Sequence, residues 1–254
     1  MNLFSFLFFL SLLPSSFSPG EKLLFDVSYG FLRLGTLKME VLRMDTLRGK
    51  NVYVFRMTAR SEGAGALFTV SDTIYSYVAA DSMYTLRYEK KIKEGHFNDS
   101  LIIEYYPDSG FATYSRGRSK KEKLLKGAID PLGLYYLIRR LDIKSKDTIT
   151  IPYHVDRRNK KVHIFVEGIK SCKCMGKKTK CYVLKPDLKG GIIKGGGKAV
   201  IFITADSLRL PVLMKSKLYF GSLKVNLKKY VPPTQKRDMP SLINSDDTPE
   251  NHAE

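Results

Sequence analysis

An alternation of apolar and polar residues with a period of two runs through most of the chain, from Lys22 to Tyr230. Successive side chains of a β-strand point to opposite faces, so this pattern is typical of strands that bury one face. Turn-forming sequences separate the runs at intervals of roughly 8–12 residues. The pattern predicts an all-β, mainly antiparallel fold: a curved sheet or barrel of about a dozen strands.

One segment departs from this alternation. Asp130 precedes Pro131, an arrangement of N-cap and first helical residue that favours the start of a helix. Apolar residues then recur at helical spacing, at Leu134, Ile138 and Leu141. We therefore predict one short helix over about 130–141, which packs under the sheet or closes one end of a barrel.

The two ends of the chain differ from its body. Residues 3–18 form an apolar run followed by small residues, which is typical of an export signal and too short to span a bilayer. An uncleaved interfacial anchor is the alternative. Residues 232–254 lack aromatic residues and regular apolar spacing, as disordered tails do. We expect a signal peptide over 1–18, a single barrel-like domain over 20–231 and a disordered polar tail over 232–254.

This organisation predicts an exported protein of the periplasm or outer envelope. No cysteine lies near residue 18, so we do not expect a lipoprotein. The formal net charge of +18 favours anionic partners: lipid, an anionic membrane surface or envelope polysaccharide. Export argues against nucleic acid. The alternative is that lysine-rich faces only keep the protein soluble.

Positive charge is densest in residues 116–126. This segment is a candidate contact for an anionic surface, or a solvated connection that precedes the helix. The candidate contact residues are Arg116, Arg118, Lys120, Lys121 and Lys123.

Three cysteines lie close together, at Cys172, Cys174 and Cys181. Their C-x-C-x6-C spacing is not a usual zinc pattern. In an oxidising compartment we expect one disulfide and one remaining thiol. A Cys174–Cys181 disulfide would close a hairpin around Met175 and Gly176.

Two histidines, His154 and His163, are candidate metal ligands. If Arg158–Asn159 formed a two-residue turn, His154 and His163 would lie opposite each other on adjacent strands, near Asp156 or Glu167. Two solvent-facing imidazoles on a sheet are the more usual interpretation, and we predict no metal site.

No catalytic motif is visible, because the chain contains neither G-x-S-x-G nor H-E-x-x-H. A hydrolase that uses Asp72, Glu94 or His96 stays an alternative without a base–nucleophile pair. We predict a protein that is not an enzyme and has no cofactor. Aromatic residues of the strands would line a dry core or an apolar ligand cavity. The candidates for a cavity are Tyr29, Phe31, Phe68, Tyr75 and Tyr77.

An ordered set of motifs spans residues 20–230. It comprises 20–23, 25–31, Leu34-Gly35, 67–72, 75–77, 93–95, 130–139, Gly176 with Cys181 and Pro186, Asp206, 209–212, 221–223 and Leu227. In this order they resemble the exported bacterial family called domain of unknown function 3108. The resemblance implies a secreted or envelope-located, β-rich, barrel-like protein with no established activity. Ile201-Phe202-Ile203, where relatives often carry tryptophan, and the added Cys172 and Cys174 depart from the pattern.

Together these observations favour a non-enzymatic envelope protein whose interior binds an apolar or amphipathic ligand, a lipid or an envelope glycan. An alternative is an assembly or structural factor that docks on a protein partner through a strand edge or through residues 116–126.

Overall fold

The computed structural model describes residues 16–63, 66, 69–116, 121–155, 157–187, 199–217 and 221–233. The predicted signal peptide and tail therefore lie outside the described residues, apart from 16–18 and 232–233. The described strands are β1 (Lys22–Tyr29), β2 (Leu32–Leu47), β3 (Lys50–Ser61), β4 (Ser71–Ala79), β5 (Thr85–Glu94), β6 (Phe97–Tyr106), β7 (Phe111–Tyr114), β8 (Glu122–Lys123), β9 (Thr148–Val155), β10 (Arg158–Cys174), β11 (Lys177–Pro186), β12 (Ala199–Thr204), β13 (Pro211–Lys217) and β14 (Ser222–Val231). The helix α1 spans Pro131–Arg140.

The fourteen strands form one antiparallel sheet in the order β8-β7-β6-β5-β4-β3-β2-β1-β14-β13-β12-β11-β10-β9. Neighbours in the sheet are also neighbours along the chain, except where β1 pairs with β14. The sheet curves into a barrel-like shell, but β8 and β9 remain its two edges and do not pair with each other. The all-β prediction is confirmed.

The alternation in the sequence becomes the two faces of this shell. On β2, Leu37, Met39 and Val41 are buried inside, whereas Lys38 between them lies on the outer face. The register continues the inner face from strand to strand, since Phe25 of β1 pairs with Leu227 of β14. One large apolar core therefore fills the shell, and its burial is the main driving force for folding.

Alternating strand directions place several turns at one end of the sheet, which we call the upper end. The turns that join β1 to β2 and β5 to β6 lie there, as do the end of β13 and the start of β14. The helix α1 lies toward the lower end and packs against β3, β4 and β9. No helix within the described ranges is long and apolar enough to cross a membrane.

The start of α1 is held by the predicted cap. The Asp130 carboxylate accepts hydrogen bonds from the backbone N–H groups of Leu132 at 2.8 Å and Gly133 at 2.9 Å. It also accepts hydrogen bonds from the hydroxyls of Ser76 and, at 2.5 Å, Thr85. Because Asp130 is fully buried, these donors replace the water that its carboxylate has lost.

The end of α1 holds the segment that precedes β1. Arg139 is buried and ion-pairs with Glu21, with Nη1–Oε1 at 2.6 Å and Nη2–Oε2 at 2.9 Å. Its Nη2 also donates to the Ser16 carbonyl at 3.3 Å. Phe17 is buried beside this pair, and its ring packs edge-on against Phe55 and Tyr136. Residues 16–21 are thus part of the folded body.

Candidate functional site

A cavity of about 350 Å³ lies inside the shell between the inner face of the sheet and the start of α1. Its volume falls in the range of small-molecule sites, roughly 300–1,000 Å³. Its apolar and aromatic walls come from β1, β2, β3, β4, β5, β6 and β14. They include Val27, Leu37, Met57, Ala59, Ile74, Tyr88, Ile92, Phe97, Leu101, Ile103, Tyr105, Leu223 and Val225.

The mouth of the cavity is charged and opens toward the upper end. Three carboxylates and one amine line it, those of Asp72, Glu94, Asp99 and Lys90. Lys90 Nζ lies 3.4 Å from Asp99, which also pairs with Arg116. Burial raises the pKa of Asp99, but Lys90 and Arg116 outweigh burial and leave this pKa below its ordinary value. Asp99 therefore stays ionised at neutral pH.

Beside the cavity the two edges of the sheet meet along a line that we call the seam, formed by Tyr105, Tyr114, His154, Arg157 and Asn159. Tyr105 donates its hydroxyl proton to the His154 carbonyl at 3.2 Å. Asn159 Nδ2 donates to the Lys123 carbonyl at 2.7 Å. The Arg157 guanidinium lies 4.3 Å from the centre of the Tyr114 ring. Side chains therefore join β6, β7 and β8 to β9 and β10.

The hydrogen bonds of the seam fix the protonation of His154. Nδ1 lies 3.0 Å from Asn159 Oδ1, which can only accept, so Nδ1 carries the proton. Nε2 then accepts from the Tyr114 hydroxyl at 2.6 Å, and that hydroxyl accepts from Arg157 N–H at 3.1 Å. Burial lowers the pKa of His154, against smaller opposing effects of Asn159 and Glu122. The imidazole is therefore neutral in the folded protein.

The structure does not bring the predicted aromatic residues to the cavity. Phe31 is 95% exposed at the turn between β1 and β2. Tyr75 and Tyr77 lie on the outer face of β4, where Arg56 bonds Tyr75 and Arg87 lies over Tyr77. Tyr29 is half-buried against Gly221, whose missing Cβ would lie 2.9 Å from the tyrosine ring. Phe68 lies outside the described residues.

The cavity is instead lined by the aromatic residues Tyr88, Phe97 and Tyr105. Alternation in β6 already placed Tyr105 on one face with Leu101 and Ile103, all of which line the cavity. That shared face was the signal in the sequence that could have identified Tyr105.

The predicted basic contacts are only partly in view, because Arg118 and Lys120 lie outside the described residues. Arg116 is exposed but ion-pairs with Asp99. Lys121 lies over the Phe111 ring at 4.6 Å, and Lys123 is exposed on β8. The three described residues of this set therefore do not form one free basic patch.

Two pairings expected from the sequence are wrong. The disulfide joins Cys172 to Cys181, and Cys174 is free. Cys174 lies opposite Lys177 next to the β10–β11 turn, whereas the Cα atoms of Cys172 and Cys181 are 6.1 Å apart.

The two histidines do not lie opposite each other. Arg158 and Asn159 belong to β10 and not to the turn, so His154 pairs with Asn159 and the exposed His163 with Thr150. Within the described part of the chain, no group of three or more His, Cys, Asp or Glu side chains is placed to hold a metal ion.

Comparisons with known proteins agree with this architecture. The family described as "Protein of unknown function (DUF3108)" matches residues 24–228. A solved structure of a β-barrel-like protein of domain of unknown function DUF1849, from Brucella abortus, is similar with a TM-score of 0.54. The match has 10% identity and covers 86% of this chain and 99% of that chain, so the likeness concerns the fold alone. No curated protein matches the chain.

Proposed function

This chain belongs to the DUF3108 family, and we propose that it is an exported, non-enzymatic envelope protein that binds an apolar or amphipathic ligand in its cavity. The observation that carries the proposal is the apolar space of about 350 Å³ inside the shell. Burial of apolar ligand surface against these walls supplies the binding energy, at about 25 cal/mol per Å². The apolar leader, residues 3–18, supports export.

The mouth narrows the class of ligand. Asp72, Glu94 and Asp99 place carboxylate oxygens there, and Lys90 and Arg116 pair with Asp99. Carboxylate oxygens accept hydrogen bonds and repel anions. The polar end of the ligand should therefore carry hydroxyl or amine donors, as a glycan or an aminoalkyl head group does, and not a free carboxylate.

Binding can be tested by titrating the full chain with a neutral apolar fluorescent probe, N-phenyl-1-naphthylamine. Ala59 lines the cavity from β3. Ala59→Phe should therefore fill part of the cavity and weaken probe binding by a factor of roughly ten or more. Thr58→Phe is the matched control, because Thr58 directly precedes Ala59 in β3 and lies on the outer face. Thermal unfolding checks that both variants are folded.

Competition with single-chain ligands then tests the head group. A long-chain amine and a monoacylglycerol should displace the probe more strongly than a fatty acid of the same length. Absence of probe binding, or equal binding by Ala59→Phe and Thr58→Phe, would contradict the proposal.

A further inference from the structure

We propose that the upper end of the sheet docks on an anionic lipid bilayer, with Phe31 as the side chain that enters the bilayer. Phe31 is not part of the cavity wall, and Phe97 belongs both to this surface and to the rim of the cavity. The inference does not depend on what the cavity binds.

Phe31 stands at the apex of the β1–β2 turn. Gly30 adopts the left-handed conformation, with φ of +58°, which allows a tight turn between Tyr29 and Leu32. The turn leaves Phe31 95% exposed and Leu32 44% exposed. Phe31 is a large apolar side chain held in water, so any partner that removes it from water lowers the free energy of the system.

A second exposed aromatic residue lies at the same end. Phe97 begins β6, pairs with Glu94 across the β5–β6 turn and is 54% exposed. The β5–β6 turn is tied to residues 69–70, because Gly95 N–H donates to the Thr69 carbonyl at 2.6 Å. Two separate turns thus present exposed aromatic side chains at the same end of the sheet.

Exposed cations lie on the outer face of the shell near these turns, whereas Asp72, Glu94 and Asp99 line the cavity mouth. Arg60, Lys93 and Lys217 are exposed near the upper ends of β3, β5 and β13, and form no ion pair with other described residues. Arg33, beside the β1–β2 turn, is neutralised by Asp26 at 3.1 Å and Glu62 at 2.9 Å. Unpaired cations near a bilayer attract anionic head groups.

The shape of this surface favours a bilayer over a folded protein partner. Among the described residues, Phe31 is the most exposed large apolar side chain and stands on a narrow turn. A protein would need a pocket shaped to it, whereas lipid can surround it from every side. Aromatic residues flanked by basic ones are the usual composition of surfaces that lie in the bilayer interface.

The chain contains no tryptophan, so a single substitution provides a local reporter. Phe31→Trp in the full chain should show blue-shifted emission, and quenching by brominated lipid, with vesicles of phosphatidylethanolamine and phosphatidylglycerol. Vesicles of phosphatidylcholine alone should give a weaker response. Phe165→Trp is the matched control, since Phe165 is 43% exposed on the outer face of β10, away from the upper end. Its emission should not change.

Co-sedimentation measures the affinity of the surface. Phe31→Ser should weaken binding to the anionic vesicles roughly tenfold to a hundredfold, and Phe165→Ser should leave it unchanged. Lys93→Gln should weaken binding by about fivefold. Lys229→Gln, near the lower end of β14, should not.

Three results would overturn the inference: unchanged Phe31→Trp emission, equal shifts at positions 31 and 165, or full vesicle binding by Phe31→Ser. Ala59→Phe should bind vesicles like the unmodified chain. Failure of the cavity proposal and failure of the docking surface are therefore separately visible.

Discussion

Tyr114 and His154 connect the two edges of the sheet through one hydrogen bond, in which the tyrosine hydroxyl lies 2.6 Å from imidazole Nε2. His154 Nδ1 already donates its proton in a hydrogen bond to Asn159 Oδ1, at 3.0 Å. A second proton on Nε2 would face a hydroxyl that already accepts from Arg157 N–H. The hydrogen bonds that join the edges therefore require a neutral imidazole.

This requirement predicts a pH-dependent stability. Burial holds the pKa of His154 below its ordinary value, so the unfolded chain binds a proton near pH 6.5 more readily than the folded chain does. The contribution of the neutral His154 to the free energy of unfolding is therefore fully present above about pH 6.5. It is lost as the pH falls below that value. Urea midpoints measured at about pH 7 and about pH 5 should fall less for His154→Gln than for the unmodified chain. His163→Gln, at an exposed position, should keep the full fall, and an equal fall in all three proteins would contradict the assignment.

Because Arg139 and Glu21 form a buried ion pair, we expect removal of Glu21 to cost more stability than removal of a surface carboxylate. Glu21→Ala leaves the Arg139 charge buried without its counter-ion and should lower the free energy of unfolding by about 3–5 kcal/mol. Glu167→Ala removes a surface carboxylate that pairs with Lys170 and Lys185, and should cost less than about 1 kcal/mol. Urea unfolding of both variants measures the difference, and equal losses would argue against a buried pair.

Phe17 predicts where the body of the protein begins. Its ring is buried against Phe55 and Tyr136, so we expect any removal of the leader to cut before Phe17. Intact-mass analysis of the protein purified from its own cells gives the N-terminus directly. A chain that begins at Pro19 would contradict this expectation.

The same residue gives a matched comparison of stability. Phe17→Ala should lower the free energy of unfolding by about 3 kcal/mol, because it leaves a cavity in the core. Phe31→Ala, at an exposed turn, should change it by less than about 0.5 kcal/mol.

The cysteines predict one disulfide-linked peptide and one thiol. Peptide mapping without reduction should recover Cys172 joined to Cys181, with Cys174 alkylated only slowly because burial raises the pKa of its thiol. Cys172→Ser should cost about 2–3 kcal/mol of stability and Cys174→Ser much less. A peptide that joins Cys174 to Cys181 would contradict the structure.

The strand alternation was enough to predict the fold class, and the Asp130–Pro131 pair was enough to place the helix. Both signals are local: a side chain follows the period of its own strand, and a cap acts within one turn. The long-range pairing of β1 with β14 has no such local signal, since it depends on which inner faces meet when the core forms.

The face of β4 shows why Tyr75 and Tyr77 do not line the cavity. Tyr75 and Tyr77 are the larger aromatic residues, and Ser76 between them is polar, so hydrophobicity favours the tyrosines as the inner set. In the structure Ile74, Ser76 and Val78 are the buried set, and Ser76 donates a hydrogen bond to the Asp130 carboxylate. Ile74 and Val78 therefore carry the periodic signal of the inner face. The partner that lets the polar Ser76 share that face comes from a distant part of the chain, which strand periodicity does not register.

The edges of β8 and β9 are not paired with each other, so the shell lacks a backbone ladder along one line of its circumference. Separating the edges breaks a handful of bonds made by side chains and by the connecting backbone, while the pairing of every other strand survives. A fully hydrogen-bonded cylinder has a circumference set by its strand count and stagger. In this shell the circumference at the seam is set instead by side-chain contacts and by the Ile129 backbone, so widening the shell there breaks no ladder between two strands.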